Sequence, residues 1–123
     1  MRFFVCEKCG KMVAVTRESK CEMLQCCNQA MVEVKANTQD AAVEKHVPQY
    51  EVKGNTVEVV VGSVEHPMAD VHYIEWIMLE TNKGNAFRYL KPEMAPKASF
   101  ALAEGEEVVA VYAFCNLHGL WKK

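Results

Sequence analysis

The residues best suited to chemistry are four histidines and one late cysteine, gathered in short motifs: Glu44-Lys45-His46-Val47-Pro48, His66-Pro67, His72 and Cys115-Asn116-Leu117-His118-Gly119. They include every histidine of the chain, so none is left for an ordinary role. For one histidine alone, a satisfied core or surface position is the default reading. For the whole set, a shared metal ion is the simpler one. Five such donors exceed the four of a closed tetrahedral zinc site, and imidazole with one thiolate suits iron or copper. The expected chemistry is redox chemistry.

A second group precedes it. Cys6-Glu7-Lys8-Cys9 and the doublet Cys26-Cys27 offer four thiolates for a tetrahedral site, and a Cys-x-x-Cys turn lets backbone amides hydrogen-bond to the sulfurs. Zinc and iron both accept this set, so the spacing identifies a site without choosing its metal. Adjacent cysteines can share one ion only where the local backbone is distorted, and a zinc ribbon would use a second Cys-x-x-Cys instead. Cys21 reads as a free surface thiol.

Positioning these donors takes two modules. Five of the six cysteines lie within residues 1 to 35, whereas all histidines and only Cys115 lie beyond residue 45. Residues 1–36 are expected to form a small metal module, 37–45 a polar linker with room for a helical turn, and 46–123 a larger domain. In the latter, Tyr50–Val52, Thr56–Gly62, His72–Glu80, Ala86–Leu90, Ala98–Leu102 and Glu107–Cys115 are β-rich runs separated by glycine and asparagine turns. Thr56–Val61, with three consecutive valines, suggests a strand buried on both faces. Short strands without a long helix predict an all-β chain containing a sandwich. Trp76 and Trp121 read as core packing.

Composition narrows the partners. A net charge of -2 and a pI near 6.1 give no basic footprint for nucleic acid and no charge block for a membrane surface. No apolar run approaches the roughly 18 residues needed to span a bilayer. The start has no secretory pattern, so a cytoplasmic, reducing setting is expected, in which clustered cysteines bind metal rather than form disulfides. A cupredoxin would want a methionine soon after its last histidine, and Gly119-Leu120-Trp121-Lys122-Lys123 has none. The histidine-carboxylate pairing of a non-haem oxygenase is also missing.

The first 35 residues are similar to desulforedoxin, whose iron centre uses a Cys-x-x-Cys and a Cys-Cys pair; Cys21 departs from that pattern. Residues Glu44–Pro48, Gly62–Met68, His72–Ile77, Leu90–Pro92 and Cys115–Gly119 resemble superoxide reductase of the neelaredoxin type. As a whole the chain resembles the desulfoferrodoxin family, superoxide reductases with two iron centres. The resemblance implies a desulforedoxin-like iron domain followed by an immunoglobulin-like β-sandwich, and two irons per chain. One would be held by Cys6, Cys9, Cys26 and Cys27. The other would have His46, His66, His72 and His118 as equatorial ligands and Cys115 as the axial one. It also implies one-electron reduction of superoxide to hydrogen peroxide, Lys45 attracting the anion, Glu44 as a carboxylate ligand to oxidised iron, a rubredoxin-like electron donor and a homodimer. The competing readings are an electron-transfer protein without turnover and a zinc-stabilised interaction module.

Overall fold

The computed structural model describes residues 1–21 and 23–123. They divide into two compact units, Met1–Lys35 and Ala36–Lys123. In the first, β1 (Arg2–Val5) is the middle strand of an antiparallel sheet, between β2 (Met12–Val15) and β5 (Val32–Val34). Phe3 and Phe4 are buried from this strand. The Arg2 guanidinium anchors its start by pairing with Glu33 at 2.9 Å and Glu18 at 3.1 Å. A minimal hairpin, β3 (Gln25–Cys26) and β4 (Gln29–Ala30), completes the unit.

The second unit is built from two antiparallel sheets. One has the order β10 (Lys97–Ala101), β7 (Thr56–Val61), β6 (Pro48–Lys53); the other β12 (Gly119–Lys122), β11 (Val108–Cys115), β8 (Ile74–Thr81), β9 (Gly84–Tyr89). Three strands facing four across one core make the expected immunoglobulin-like sandwich. Val57, Val59, Val61 and Phe100 meet Ile74, Ile77, Leu79, Val111 and Ala113 in that core. All six runs read as β-rich are strands, and β12 adds a seventh.

The strand Thr56–Val61 differs from its expected burial. Val57, Val59 and Val61 are buried while Glu58 is exposed and Val60 half-buried, so one face only looks inward. The strands with four consecutive buried residues are β8 and β11, the middle pair of the larger sheet. Their register shifts near one end: Phe114 pairs with Trp76, yet Cys115 pairs with Ile74. The bulge skips Glu75, and bulges commonly re-aim side chains beside functional sites. Here both Ile74 and Cys115 join the core.

Residues 37–45, expected as a linker, are counted with the second unit and tied to it. Asn37 N–H donates to Leu120 O at 3.0 Å, its Nδ2 donates to Lys122 O at 3.0 Å, and its Oδ1 accepts from Lys122 N–H at 2.9 Å. The segment ends in α1 (Val43–His46), one turn of helix.

Candidate metal centres

In the first unit Cys6 follows β1 and opens a tight turn: its N–H donates to Lys11 O at 2.9 Å, and its carbonyl accepts from Gly10 N–H at 2.8 Å. The turn aims backbone N–H groups of Cys9 and Lys8 at the Cys6 sulfur and holds that thiol down to about 7, against the opposing effect of burial. The cysteine doublet is resolved by backbone conformation. Cys27 and Asn28 are the two loop residues of the β3–β4 hairpin, at φ 53° and 59°. Two successive left-handed residues are the mark of a type I′ turn. That twist brings the sulfurs of neighbouring residues to the same place.

Cys26 Sγ lies 3.7 Å from Cys9 Sγ and 3.9 Å from Cys27 Sγ. Tetrahedral sulfurs about 2.3 Å from an ion stand about 3.8 Å apart, so these separations fit a four-thiolate site. The thiols crowd one another; the neighbouring Cys9, Cys26 and Cys6 sulfurs push the Cys27 thiol up to about 12. Cys6 is fully buried, Cys9 and Cys27 are exposed, and Cys21 is exposed and apart from the group.

The second unit gathers its donors from four places. His46 ends α1, His66 and His72 come from the loop between β7 and β8, Cys115 ends β11, and His118 lies in the following turn. Gly119, at φ 75°, adopts the left-handed backbone that sends the chain back as β12, paired opposite Cys115. His46, His66 and Cys115 are buried, at 3%, 2% and 0% exposure.

Backbone carbonyls set the histidine tautomers. His46 Nδ1–H donates to Ala42 O at 2.7 Å and His66 Nδ1–H to Pro67 O at 2.6 Å, because a carbonyl oxygen can only accept. Both Nε2 atoms therefore carry lone pairs, and they lie 3.2 Å apart. His118 Nδ1 is 3.1 Å from His46 Nε2 and 3.8 Å from Cys115 Sγ. His72 Nε2 is buried with no hydrogen-bond partner. Facing lone pairs and an orphaned buried nitrogen are costly alone, and a cation at their midst satisfies them all.

The rings stand in a square. Neighbouring centroids are 4.7 Å apart for His46–His66 and His66–His72, 5.0 Å for His72–His118 and 4.9 Å for His46–His118, with the planes 77° to 90° apart. Across the square His46 and His72 are 6.3 Å apart. Nitrogens about 2.1 Å from one ion at right angles would be about 3.0 Å apart, close to the short contacts seen. The structure thus brings His46, His66, His72, His118 and Cys115 together, and three Nε2 atoms and the Nδ1 of His118 are the nitrogens placed to hold a metal.

The electrostatics of the cluster favour neutral imidazoles. Burial is the first cause that holds His46 and His72 below the ordinary imidazole range, and it holds His66 down to about 4. Burial pushes the Cys115 thiol up, opposed by backbone N–H groups of Leu117 and His118, and the half-buried Glu75 raises it further. A metal ion reverses the balance for the sulfur, since a coordinating thiol is deprotonated outright.

Supporting residues escaped the sequence reading. Trp121, read as core, is indeed 1% exposed, but its ring also lies against His46, centroids 4.9 Å apart and planes tilted by 31°, and it donates Nε1–H to His118 O at 3.0 Å. Gly62 lies under α1: a Cβ there would come 2.6 Å from Glu44 O and 2.9 Å from Val47 O. Neither role has a local sequence signal, because each depends on a distant partner. Glu44 and Lys45 are exposed on α1, and the Lys45 charge lowers both His46 and His72.

Comparison with known proteins agrees with this geometry. The family model described as desulfoferrodoxin matches residues 38–123. The desulfoferrodoxin of Desulfarculus baarsii is 44% identical over 122 residues, 99% of this chain and 94% of the relative. The crystal structure of the superoxide reductase from Treponema pallidum superposes with a TM-score of 0.81 at 37% identity, covering 98% of both chains. A one-iron superoxide reductase from Giardia intestinalis matches 65% of this chain and 95% of its own, at 36% identity and a TM-score of 0.56. With the family model spanning the whole sandwich and a full-length relative carrying both units, the chain belongs to the desulfoferrodoxin family.

Proposed function

We propose that the second unit is a superoxide reductase, which converts superoxide, one electron and two protons into hydrogen peroxide. The observation that carries this reading is the square of four imidazoles closed by one buried thiol. Among the described residues no carboxylate joins the cluster of His46, His66, His72 and Cys115, to which His118 adds its Nδ1 3.1 Å from His46 Nε2. His46, His66, His72, His118 and Cys115 would hold a ferrous iron, which would supply one-electron chemistry to a small anion bound beside it. We assign a second iron to Cys6, Cys9, Cys26 and Cys27, whose sulfur separations fit four-thiolate coordination.

The chain's own residues prepare that chemistry. Ala42 and Pro67 carbonyls keep His46 and His66 in the tautomer whose Nε2 has a free lone pair, and Leu117 and His118 N–H groups favour charge on the Cys115 sulfur against the larger, opposite effect of its burial. Lys45 is the electrostatic lure: an exposed ammonium whose charge reaches two of the histidines attracts an anion and can keep a proton at Nζ near it. Glu44 has its carbonyl pinned by Val64 N–H at 2.9 Å and Ser63 Oγ–H at 3.2 Å, while its carboxylate stays exposed. That carboxylate would be a further oxygen donor to an iron held beside α1.

Lys45→Ala should lower the second-order rate with superoxide about tenfold at low salt, flatten its ionic-strength dependence, and leave the iron content unchanged. Pulse radiolysis at two salt concentrations reads all but the iron count. An unchanged rate at low salt removes the steering role.

Electrons must come from outside the chain. Two exposed cysteines, Cys9 and Cys27, suit the first centre to face a soluble donor of the rubredoxin type. Pairing into homodimers and a cytoplasmic setting complete the reading; the six free cysteines support a reducing compartment. Among the described residues no helix is long and apolar enough to cross a membrane.

The decisive experiment adds a measured amount of superoxide to reduced, iron-quantified protein without oxygen. A reductase yields one hydrogen peroxide per superoxide and no dioxygen, consumes one reducing equivalent per superoxide, and develops a thiolate-to-ferric band as peroxide forms. A spectrum that ignores superoxide would return the chain to the electron-transfer reading.

A further inference from the structure

Asn116 occupies the position after Cys115 and binds the loop that carries His72. Its backbone N–H donates to Tyr73 O at 3.1 Å, its Oδ1 accepts from Tyr73 N–H at 2.9 Å, and its Nδ2 donates to Val71 O at 3.1 Å. One side chain therefore grips the peptide groups on both sides of His72, across 43 to 45 residues of sequence.

The grip matters because His72 is held differently from its neighbours. His46 and His66 each have a ring nitrogen fixed to a backbone carbonyl. Among the described residues no carbonyl fixes the His72 ring, and its Nε2 is buried without a partner. Its backbone has one other tie, the reciprocal bridge to Ala69 at 2.9 Å and 3.1 Å within the same loop. Among the described residues, the hydrogen bonds that lock this loop to the end of β11 are those of Asn116. The direction of the imidazole is consequently set by the backbone beneath it, and that backbone is set by Asn116.

We propose that Asn116 is the positioning residue for His72, fixing the distance between His72 and the Cys115–His118 turn before metal arrives. The side chain requirement is specific. An amide offers one acceptor and one donor in fixed geometry, whereas aspartate can still accept from Tyr73 N–H but cannot donate to Val71 O. Outer partners of metal ligands of this kind govern ligand orientation and metal affinity.

The inference rests on the second centre holding iron as proposed above. The test compares full-length, iron-loaded Asn116→Ala, Asn116→Asp and Asn82→Ala with the native chain. Asn82 is the control: its Oδ1 accepts from Glu107 N–H at 2.8 Å and its Nδ2 donates to Gly105 O at 3.2 Å, at the far end of β8. Three readouts serve: iron release from the second centre into excess chelator, the thiolate-to-ferric absorption band, and the thermal midpoint.

Asn116→Ala should release the second iron at least about tenfold faster and shift the band. Asn116→Asp should fall between it and the native chain, and it carries the test if the alanine variant does not fold. Asn82→Ala should lower the thermal midpoint and leave release and band as in the native protein. Native release and band in both Asn116 variants overturn the inference, and so does an equal acceleration by Asn82→Ala. A native chain that binds two irons and reduces superoxide while Asn116→Ala behaves identically overturns this inference alone. A native second site without iron overturns the functional reading as well.

Discussion

Gly62→Ala should cost the second centre its iron and the second unit about 1–3 kcal/mol of stability, the usual penalty for forcing a methyl group into close packing. The clash is with backbone, which cannot rotate away. A Cβ on residue 62 would meet Glu44 O at 2.6 Å, Val47 O at 2.9 Å and the Lys45 carbonyl carbon at 3.0 Å, all in or next to the turn of α1. The same loop holds α1 by hydrogen bonds from Val64 N–H and Ser63 Oγ–H to Glu44 O, and presents His66 through its own N–H to Val61 O at 2.8 Å. Relief of the clash must move α1 away, and His46 moves with it. Since His46 Nε2 has neighbours at 3.1 Å and 3.2 Å, a displacement of an ångström is enough to spoil the set. Gly54→Ala provides the comparison: at φ 61° with nothing within 4 Å, it carries backbone strain but no clash. Iron per chain and thermal midpoint distinguish them. Gly62→Ala with two irons and native release would show that α1 is not seated by that contact.

Much of this architecture was legible because its signals are local. The six β-rich runs of residues 46–123 were bounded by turn residues, and all six are strands. The seventh, β12, follows the Cys-x-x-His motif directly, and Gly119-Leu120-Trp121-Lys122 is too short to show a period. The misread burial of Thr56–Val61 has a related cause. Three consecutive valines look the same whether both faces are covered or one of them is a half-buried outer position, as Val60 is. The short strands β1 to β5 escaped because two to four residues carry no period at all.

Around the sites, residue type was the signal. Histidine and cysteine announce metal chemistry by their atoms, and the structure brings both named groups together. Glycine and asparagine announce only turns. Gly62 beneath α1, and Asn116 across the His72 loop, acquire their roles from pairings tens of residues away. The Cys27-Asn28 turn is an exception that could have been found, since asparagine tolerates the left-handed backbone that a two-residue hairpin requires.

Cys115→Ser should abolish the thiolate-to-ferric absorption of the second centre and slow superoxide reduction on the order of 100-fold or more, because even outer partners of metal ligands cost roughly 10–100-fold when lost. Position makes the substitution severe. Cys115 is fully buried at the end of β11, in the same core layer as Val111 and Ala113, and it is the only cysteine after residue 27. No other thiol of this unit can replace it. Backbone N–H groups of Leu117 and His118 point at its sulfur, a pair of donors that favours negative charge there even as burial opposes it. A serine oxygen is smaller and harder than sulfur, so it sits short of the ion and donates less charge to it. The four imidazoles remain, and the protein should still bind a divalent metal, now as a colourless and sluggish site. The first centre provides the internal standard, because its four thiolates are untouched and its colour must persist unchanged. Visible spectra of the oxidised variant, with iron counted per chain, give the answer. Retention of the second band would place a different sulfur on that iron and dissolve the five-donor assignment. Loss of the band with an unaltered rate would separate the thiolate from catalysis and leave the imidazole square to carry the reaction alone.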